Sequence, residues 1–208
     1  MIRNRNRFMA AMAAVAVGGL LLGGCSSGEE AASGGSESAD QGAAPAQPAA
    51  TSGEFGEGCA AVPKSGAGSF QGMAEDPVAT AASNNPALST LVTAVGKAGL
   101  VNTLNSAKDI TVFAPSNDAF AKIPKKDLNA VLSDKKTLTK VLTYHVVGQE
   151  ITPEQLSSGD FPTLAGGSVK TSGSGEDFTV ENANVVCGNV QTANATVYII
   201  DNVLMPPM

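Results

Sequence analysis

The apolar residues that follow Pro86 recur with the spacing of an α-helix. Four of them occupy positions i, i+3, i+4 and i+7 and so share one stripe of a helix surface: Leu88, Leu91, Val92 and Val95. Asn85 and Pro86 are typical of a helix start, because an Asn side chain accepts N–H groups of the first turn and proline suits the first helical position. The pattern predicts a helix that ends near Gly99.

Similar patterns predict further helices through the middle of the chain. Asp76-Pro77 has the same start signal, and a short helical turn is predicted near 100–104. Four more helices are predicted. One begins at Ser116, two cover residues 124–132 and 135–142, and the last begins at Thr152-Pro153 and ends at Gly159. One β-branched and aromatic run, residues 110–114, interrupts this series and predicts a strand.

The last part of the domain changes to the two-residue period of β-strands. Residues 168–171 and 178–181 alternate on either side of a Gly- and Ser-rich loop, which predicts a hairpin. Residues 185–187, 190–192 and 196–200 predict three more strands. Helices that come first and strands that come later, with hairpin-length connections, favour an α+β fold over an alternating α/β fold.

The N-terminus has the pattern of an export signal that ends at a cysteine. Arg3, Arg5 and Arg7 precede an apolar run over 8–22, which is too short to span a bilayer. The segment LGGC that ends at Cys25 resembles a bacterial lipobox, which implies cleavage before Cys25 and a lipid on its sulfur. The alternative is an ordinary signal peptide with a chance cysteine. We expect a lipid-anchored protein on the extracytoplasmic face of the cell membrane, with a shed or secreted form in addition.

A linker separates this anchor from the domain. Residues 26–53 contain no aromatic and no large aliphatic side chain, so they cannot bury enough apolar surface to offset the entropy of ordering. The sequence thus divides into a signal peptide at 1–24, a lipidated flexible tether at 25–57 and one domain at 58–208. A flexible tether of this length reaches about 30 Å, enough to lift the domain off the bilayer.

The charge of the mature chain excludes nucleic acid as an expected partner. From Cys25 onward there are ten lysines, no arginine and nineteen acidic residues, a net charge of −9. Such a chain lacks the bidentate arginine donors that bind phosphate and guanine, and its field repels a polyanion. We therefore expect contact with the membrane through the lipid only.

Two cysteines, Cys59 and Cys187, remain after Cys25. An even number in an exported chain predicts one disulfide, because the compartment is oxidising. The alternatives are two free thiols or a thiol metal site, and with one histidine and no CxxC motif we expect no bound metal or cofactor.

Three segments together resemble the fasciclin domain. The first is ITVFAPSNDAF at 110–120, the second is the Tyr-His segment LTYHVV at 142–147, and the third is VYIIDNVLMP at 197–206. Their order and spacing also fit, and the similarity covers residues 73–207. Within the family the chain is similar to the secreted and lipid-anchored fasciclin-domain surface antigens of actinobacteria.

This resemblance implies a single fasciclin domain, a wedge-like β-sandwich with helices packed along one side. In animal relatives the Tyr-His segment is associated with integrin binding, so Tyr144 and His145 are candidate interaction residues by resemblance only. Those relatives also carry an Asp-Ile motif before the last signature, whereas this chain has CGNV at 187–190. The side chains of Asn117 and Asp118 are expected to cap the helix that carries Phe120.

The residues themselves favour a structural role for His145. Catalysis would need a nucleophile and an orienting acid beside it, and no such motif accompanies this single histidine. The sequon at Asn194 is interpreted as a chance match within a loop. We expect a non-enzymatic, monomeric protein that mediates adhesion or contacts an extracellular or cell-surface protein. The alternative is an envelope carrier for a small apolar ligand such as a lipid.

Overall fold

The computed structural model describes residues 53–206, so the predicted signal peptide, Cys25 and most of the tether lie outside the described residues. The helices are α1 Phe70–Glu75, α2 Val78–Asn84, α3 Ser89–Ala98, α4 Val101–Ser106, α5 Asn117–Ala121, α6 Lys125–Ser133, α7 Lys135–Tyr144 and α8 Pro153–Leu156. The strands are β1 Ile110–Pro115, β2 Val146–Val147, β3 Ser158–Pro162, β4 Ser168–Ser174, β5 Asp177–Val180, β6 Ala183–Gln191 and β7 Ala195–Ile200. Short 3₁₀ turns occur at Glu57–Ala61 and Pro86–Leu88.

The seven strands form one sheet in the order β2-β1-β7-β6-β5-β4-β3. Only β1 and β7 pair in parallel; the other neighbours are antiparallel. The two edges of the sheet approach each other, because Val147 bridges to Thr163 and Leu164 donates its N–H to the carbonyl of Val146 at 2.8 Å. The sheet is therefore nearly closed, and with its covering helices it confirms the predicted α+β wedge.

The central strands β1 and β7 are buried on both faces. Val112 and Val197 face the apolar layer that the helices share with the sheet. Phe113 and Tyr198 belong to a second apolar cluster, which the strands β3 to β6 help to enclose. Because successive side chains on a strand point to opposite faces, one apolar run serves both cores.

The three fasciclin-like segments lie side by side in the sheet. The segments at 110–120 and 197–206 contain β1 and β7, which pair from Ile110 with Ala195 to Pro115 with Ile200. The Tyr-His segment ends in β2, which pairs with the other edge of β1. These segments therefore specify the edge strand β2 and its two neighbours β1 and β7, so their likeness to the family reflects a role in folding.

Two helix caps come from distant residues and correct the predicted local ones. The N–H of Val78, which begins α2, donates to Oδ1 of Asn194 at 2.8 Å, whereas Asp76 caps nothing there. Asn117 does not cap its own helix, which Ser116 caps; its Oδ1 accepts from the N–H of Thr90 at the start of α3. Local sequence rules could not predict these partners, because both caps span more than 25 residues.

Two predictions about element boundaries also differ from the structure. Gly159 does not end a helix but lies in β3, and α8 already ends at Leu156. The two strands predicted over 185–192 are one strand, β6, which contains register shifts between Val185 and Val190. Asn189 in this bulged region has φ 57°, a left-handed conformation that Asn tolerates better than most residues.

The folded part begins before the predicted boundary at residue 58. Phe55 exchanges two backbone hydrogen bonds with Gly188, and its ring lies 5.2 Å from that of Phe178 and 6.3 Å from that of Tyr198. Residues 53–61 are called the N-terminal strap below. The sequence assigned residues 53–57 to the tether. They pack on the sheet because the ring of Phe55 covers the apolar rings of Phe178 and Tyr198.

Candidate functional site

Tyr144 and His145 stand where helix α7 turns into strand β2. Asp134 begins α7 by accepting the N–H of Lys136 at 3.0 Å, and the helix ends at Tyr144. The carbonyl of His145 then accepts the N–H of Phe113 in β1 at 2.9 Å. The turn from α7 into the edge strand β2 therefore holds both side chains against the interior.

Both ring nitrogens of His145 are hydrogen-bonded within the protein. Nδ1 lies 2.8 Å from the carbonyl oxygen of Val141, and Nε2 accepts the N–H of Leu204 at 2.9 Å. A carbonyl can only accept and a backbone N–H can only donate, so Nδ1 carries the proton of the ring, Nε2 carries none, and the imidazole is neutral. Burial, which disfavours the charged form, lowers the pKa of His145 to about 4; the bond to Val141 opposes this only in part.

Tyr144 is equally enclosed. Its hydroxyl donates to the carbonyl of Ser168 at 2.9 Å, and its ring approaches Gly167, where a Cβ atom would lie 3.2 Å away. Burial is the main reason that the pKa of this phenol is raised. Tyr144 is 4% exposed and His145 2%, so in this conformation neither presents a surface to a partner.

The structure therefore places the two candidate interaction residues together but gives both a structural environment. The neutral His145 joins α7 to the segment after β7, and Tyr144 joins it to β4. Between residues 53 and 206, no three His, Cys, Asp or Glu side chains are grouped in a way that could hold a metal ion.

Cys59 and Cys187 are joined by a disulfide, with their Cα atoms 4.8 Å apart. The bond ties the N-terminal strap to β6, next to Gly188. A Cβ atom at Gly188 would collide with the ring of Phe55, so glycine is needed for the strap to lie this close. The end of the tether is thus fixed to the sheet by hydrogen bonds, an aromatic ring and a covalent bond.

A second feature of interest is an apolar cavity between the helices and the sheet. Its volume is about 70 Å³, and side chains from α1 to α4, α7 and strands β1, β2, β6 and β7 line it. At about 24 cal/mol per Å³, an empty cavity of this size costs on the order of 2 kcal/mol of stability. Such a defect in a well-packed domain invites a functional explanation.

The sequence suggested an apolar ligand only as an alternative, and it gave neither the position of this cavity nor the role of Asn194. Asn194 donates from Nδ2 to the carbonyls of Leu104 and Ala107, at 2.8 and 2.7 Å, while its Oδ1 caps α2. All three bonds join distant segments, so the only sequence signal was an Asn in a predicted loop. Because the amide nitrogen is engaged twice, the sequon is not available for glycosylation in the folded domain.

The membrane-related predictions fall mostly outside the described residues. Cys25, the predicted site of lipidation, lies outside the described residues. Over residues 53–206, no helix has both the length and the apolar character that crossing a bilayer requires.

Comparison with known proteins identifies relatives that cover most of the chain. The chain is 49% identical to the immunogenic protein MPB70 of Mycobacterium bovis over 168 residues, 77% of this chain and 86% of that protein. It is 50% identical to the cell surface glycolipoprotein MPB83 of the same species over 173 residues, 79% of this chain and 77% of that protein. Protein sll1483 of Synechocystis is 40% identical over 129 residues, 61% of this chain and 72% of that protein.

A family model agrees with these relatives, and one solved structure shows a partial likeness to the chain. A FAS1 domain pair from the insect cell adhesion molecule fasciclin I is 26% identical to this chain, covers 58% of it and 45% of that chain, and superposes with a TM-score of 0.49. The family model for the fasciclin domain matches residues 86–206, a range that includes β1, β2 and β7. The chain therefore belongs to the fasciclin-domain family.

Proposed function

We propose that this protein is a lipid-anchored cell-surface lipoprotein that mediates adhesion or contacts an extracellular protein, without catalysing a reaction. The observation that carries this proposal is the attachment of the N-terminal strap. A domain that holds a cell to a partner must transmit tension between its anchor and its binding surface. The hydrogen bonds and the disulfide of the strap can transmit this tension to the sheet.

The attachment has two stages along the chain. The two hydrogen bonds between Phe55 and Gly188, at 3.3 and 2.8 Å, meet the load first. If they open, the disulfide between Cys59 and Cys187 stops further peeling. Tension then passes into β6, which is paired with β7 at the centre of the sheet, instead of unwinding the helices.

The family and its relatives support the surface location. The relatives MPB70 and MPB83 are named as an immunogenic protein and a cell surface glycolipoprotein, respectively. The burial of Tyr144 and His145 indicates that an adhesive surface uses other, exposed residues. The proposed partner is an extracellular or cell-surface protein, and the proposed working form is a monomer tied to the membrane by Cys25.

One variant of the full chain tests the anchor and the adhesive role together. Replacing Cys25 with Ser should move the protein from the membrane fraction to the medium. Cells that display the unchanged protein should resist shear on surfaces coated with fibronectin or collagen, and cells with Cys25→Ser should detach like cells that lack the protein.

A matched control separates the two parts of the proposal. Ser27→Ala changes a polar residue two positions away and should leave both location and retention unchanged. If Cys25→Ser stays in the membrane fraction, the lipid anchor is wrong. If the variant is released but the anchored protein gives no retention on either surface, adhesion to these matrix proteins is wrong.

A further inference from the structure

The apolar cavity has the features of a ligand site and not only of a packing defect. Its volume of about 70 Å³ is several times the roughly 10–15 Å³ that one water molecule needs. A water would need two to four polar partners, and the walls are formed mainly by aliphatic side chains such as Val78, Leu91 and Val95. The cavity is thus suited to an apolar occupant.

Three of the polar side chains in the wall, those of Thr143, Thr192 and His145, are already hydrogen-bonded to the protein. The hydroxyls of Thr143 and Thr192 donate to the carbonyls of Thr139 and Ala195, each at 2.8 Å. His145 uses both nitrogens, as described above. Asn85 is buried in the wall and its Nδ2 contacts only the sulfur of Met73, at 3.9 Å. The rest of the wall is mainly apolar, so recognition in the cavity rests chiefly on apolar contact.

The cavity wall reaches the surface at two exposed apolar residues. Among residues 53–206, the large apolar side chains exposed by more than about a third are Val101, Leu164 and Met205. Val101, at the start of α4, and Leu164, in the turn between β3 and β4, both line the cavity. Exposed apolar side chains at the rim of an apolar cavity are typical of an entrance.

The shape and composition of the site select the ligand class. The cavity has about half the volume of a 150 Å³ cavity that admits benzene, so a ring is too large for it. A chain of methylene groups is narrower than a ring and can pass between the two layers. Phe113 is the one aromatic residue among the lining residues, and flexible aliphatic walls suit a chain better than a flat ring.

We propose that the cavity binds the end of an alkyl chain, such as the acyl chain of a lipid. The terminal methylenes occupy the space between α2, α3 and the sheet, and the following methylenes lie over Val101 and Leu164. The remainder of the ligand stays outside the domain. No residue of the N-terminal strap lines this site, so the proposal is tested independently of adhesion.

The test uses the full chain with Cys25→Ala, which removes any lipid attached at that position. Decanoate and 1-decanol are the probes, and the midpoint of thermal unfolding is measured against probe concentration. Both probes should raise the midpoint progressively, because a ligand that binds only the folded state stabilises it. Benzene should have no comparable effect.

Leu164→Gln and Met205→Gln form a matched pair, because both residues are 51% exposed but only Leu164 lines this cavity. Leu164→Gln should weaken decanol binding about tenfold by removing apolar contact at the rim, and Met205→Gln should change it less than about twofold. Ala82→Leu, on the cavity wall, should fill the space and abolish binding. If Ala82→Leu fails to fold, the comparison of Leu164→Gln with Met205→Gln still tests the proposal.

Three results would overturn the proposal. These are no concentration-dependent stabilisation by either probe, equal weakening by Leu164→Gln and Met205→Gln, or stabilisation by benzene as large as by decanol. Flotation with phosphatidylcholine vesicles identifies the source of the chain. If the protein floats with the vesicles and Leu164→Gln abolishes this association, the chain belongs to a membrane lipid. If the monomeric probes stabilise the protein but it does not float with the vesicles, the ligand is a free amphiphile.

Discussion

The backbone N–H of Leu204 donates to Nε2 of His145 at 2.9 Å, across 59 residues of sequence. The bond fastens the segment after the last strand to the end of α7, and it requires an unprotonated Nε2. Because Nδ1 already donates to the carbonyl of Val141, the neutral ring satisfies every partner. A proton on Nε2 would break the bond to Leu204 and leave a charge in the core.

This arrangement predicts that the domain loses stability as the pH falls below neutral. The folded pKa of His145 is about 4, below the ordinary value of 6.5, so the unfolded chain binds more protons between these values. The stabilisation is complete above pH 6.5 and is lost as the pH falls from 6.5 towards 4. Urea unfolding should give a free energy about 2 kcal/mol lower at pH 5 than at pH 7.

The control for the pH effect is the same comparison in His145→Asn. His145 is the chain's one histidine, so the variant should be less stable at pH 7 but show little change between pH 7 and pH 5. An equally steep pH dependence in the variant would show that another group is responsible.

We further predict that His145→Ala harms stability and not a specific contact. Losing both hydrogen bonds and leaving the Leu204 N–H unpaired should lower the free energy of unfolding by about 2–3 kcal/mol. Adhesion should then decrease only in proportion to the unfolded fraction. Val146→Ala, which shortens the next buried side chain, is the control for lost packing. If His145→Ala keeps its denaturant midpoint but loses binding, His145 is a contact residue.

Asn194 should be among the most important polar residues for stability. Asn194→Ala removes the cap of α2 and leaves two carbonyls without their donor, so the free energy of unfolding should fall by about 2–3 kcal/mol. Asn182→Ala, at an exposed position between β5 and β6, should change it by less than about 0.5 kcal/mol. Similar midpoints for the two variants would contradict the capping role.

The disulfide should contribute several kcal/mol. It closes a loop with a sequence separation of 128 residues, which the chain-entropy model values at about 5 kcal/mol. Reduction should therefore lower the unfolding midpoint, and roughly 10 °C is expected for a domain of this size. Peptide mapping without reductant should recover the peptides of Cys59 and Cys187 joined; recovery as free thiols from exported protein would contradict the bond.

Local patterns were sufficient for most elements of the domain. The stripe at 88–95 and Gly99 correctly predicted α3, and the run at 110–114 correctly predicted β1. The Asn85-Pro86 signal instead begins the 3₁₀ turn Pro86–Leu88, which directly precedes α3. Periodicity and capping act over a few residues, so a single sequence contains their signal in full. The segment α1 was missed because its glycine-rich surroundings favour no helix.

The tertiary structure alone decided the partners of the polar residues and the state of the candidate site. Asn194 and Asn117 cap helices far away in sequence, and Gly159 joins a strand because β4 lies beside it. Chain folding brings such partners together over 27 to 116 residues, and a local pattern contains no information about them.

The acidic charge, the fold class and the family followed from the sequence, because composition and short motifs carry them; the export signal stays a prediction from the sequence. Whether Tyr144 and His145 are surface contacts or buried hydrogen-bonding groups depended on their neighbours in three dimensions. The cavity at Leu164 likewise exists only because two layers meet imperfectly. Burial and empty space are properties of the packed layers, which no single segment determines.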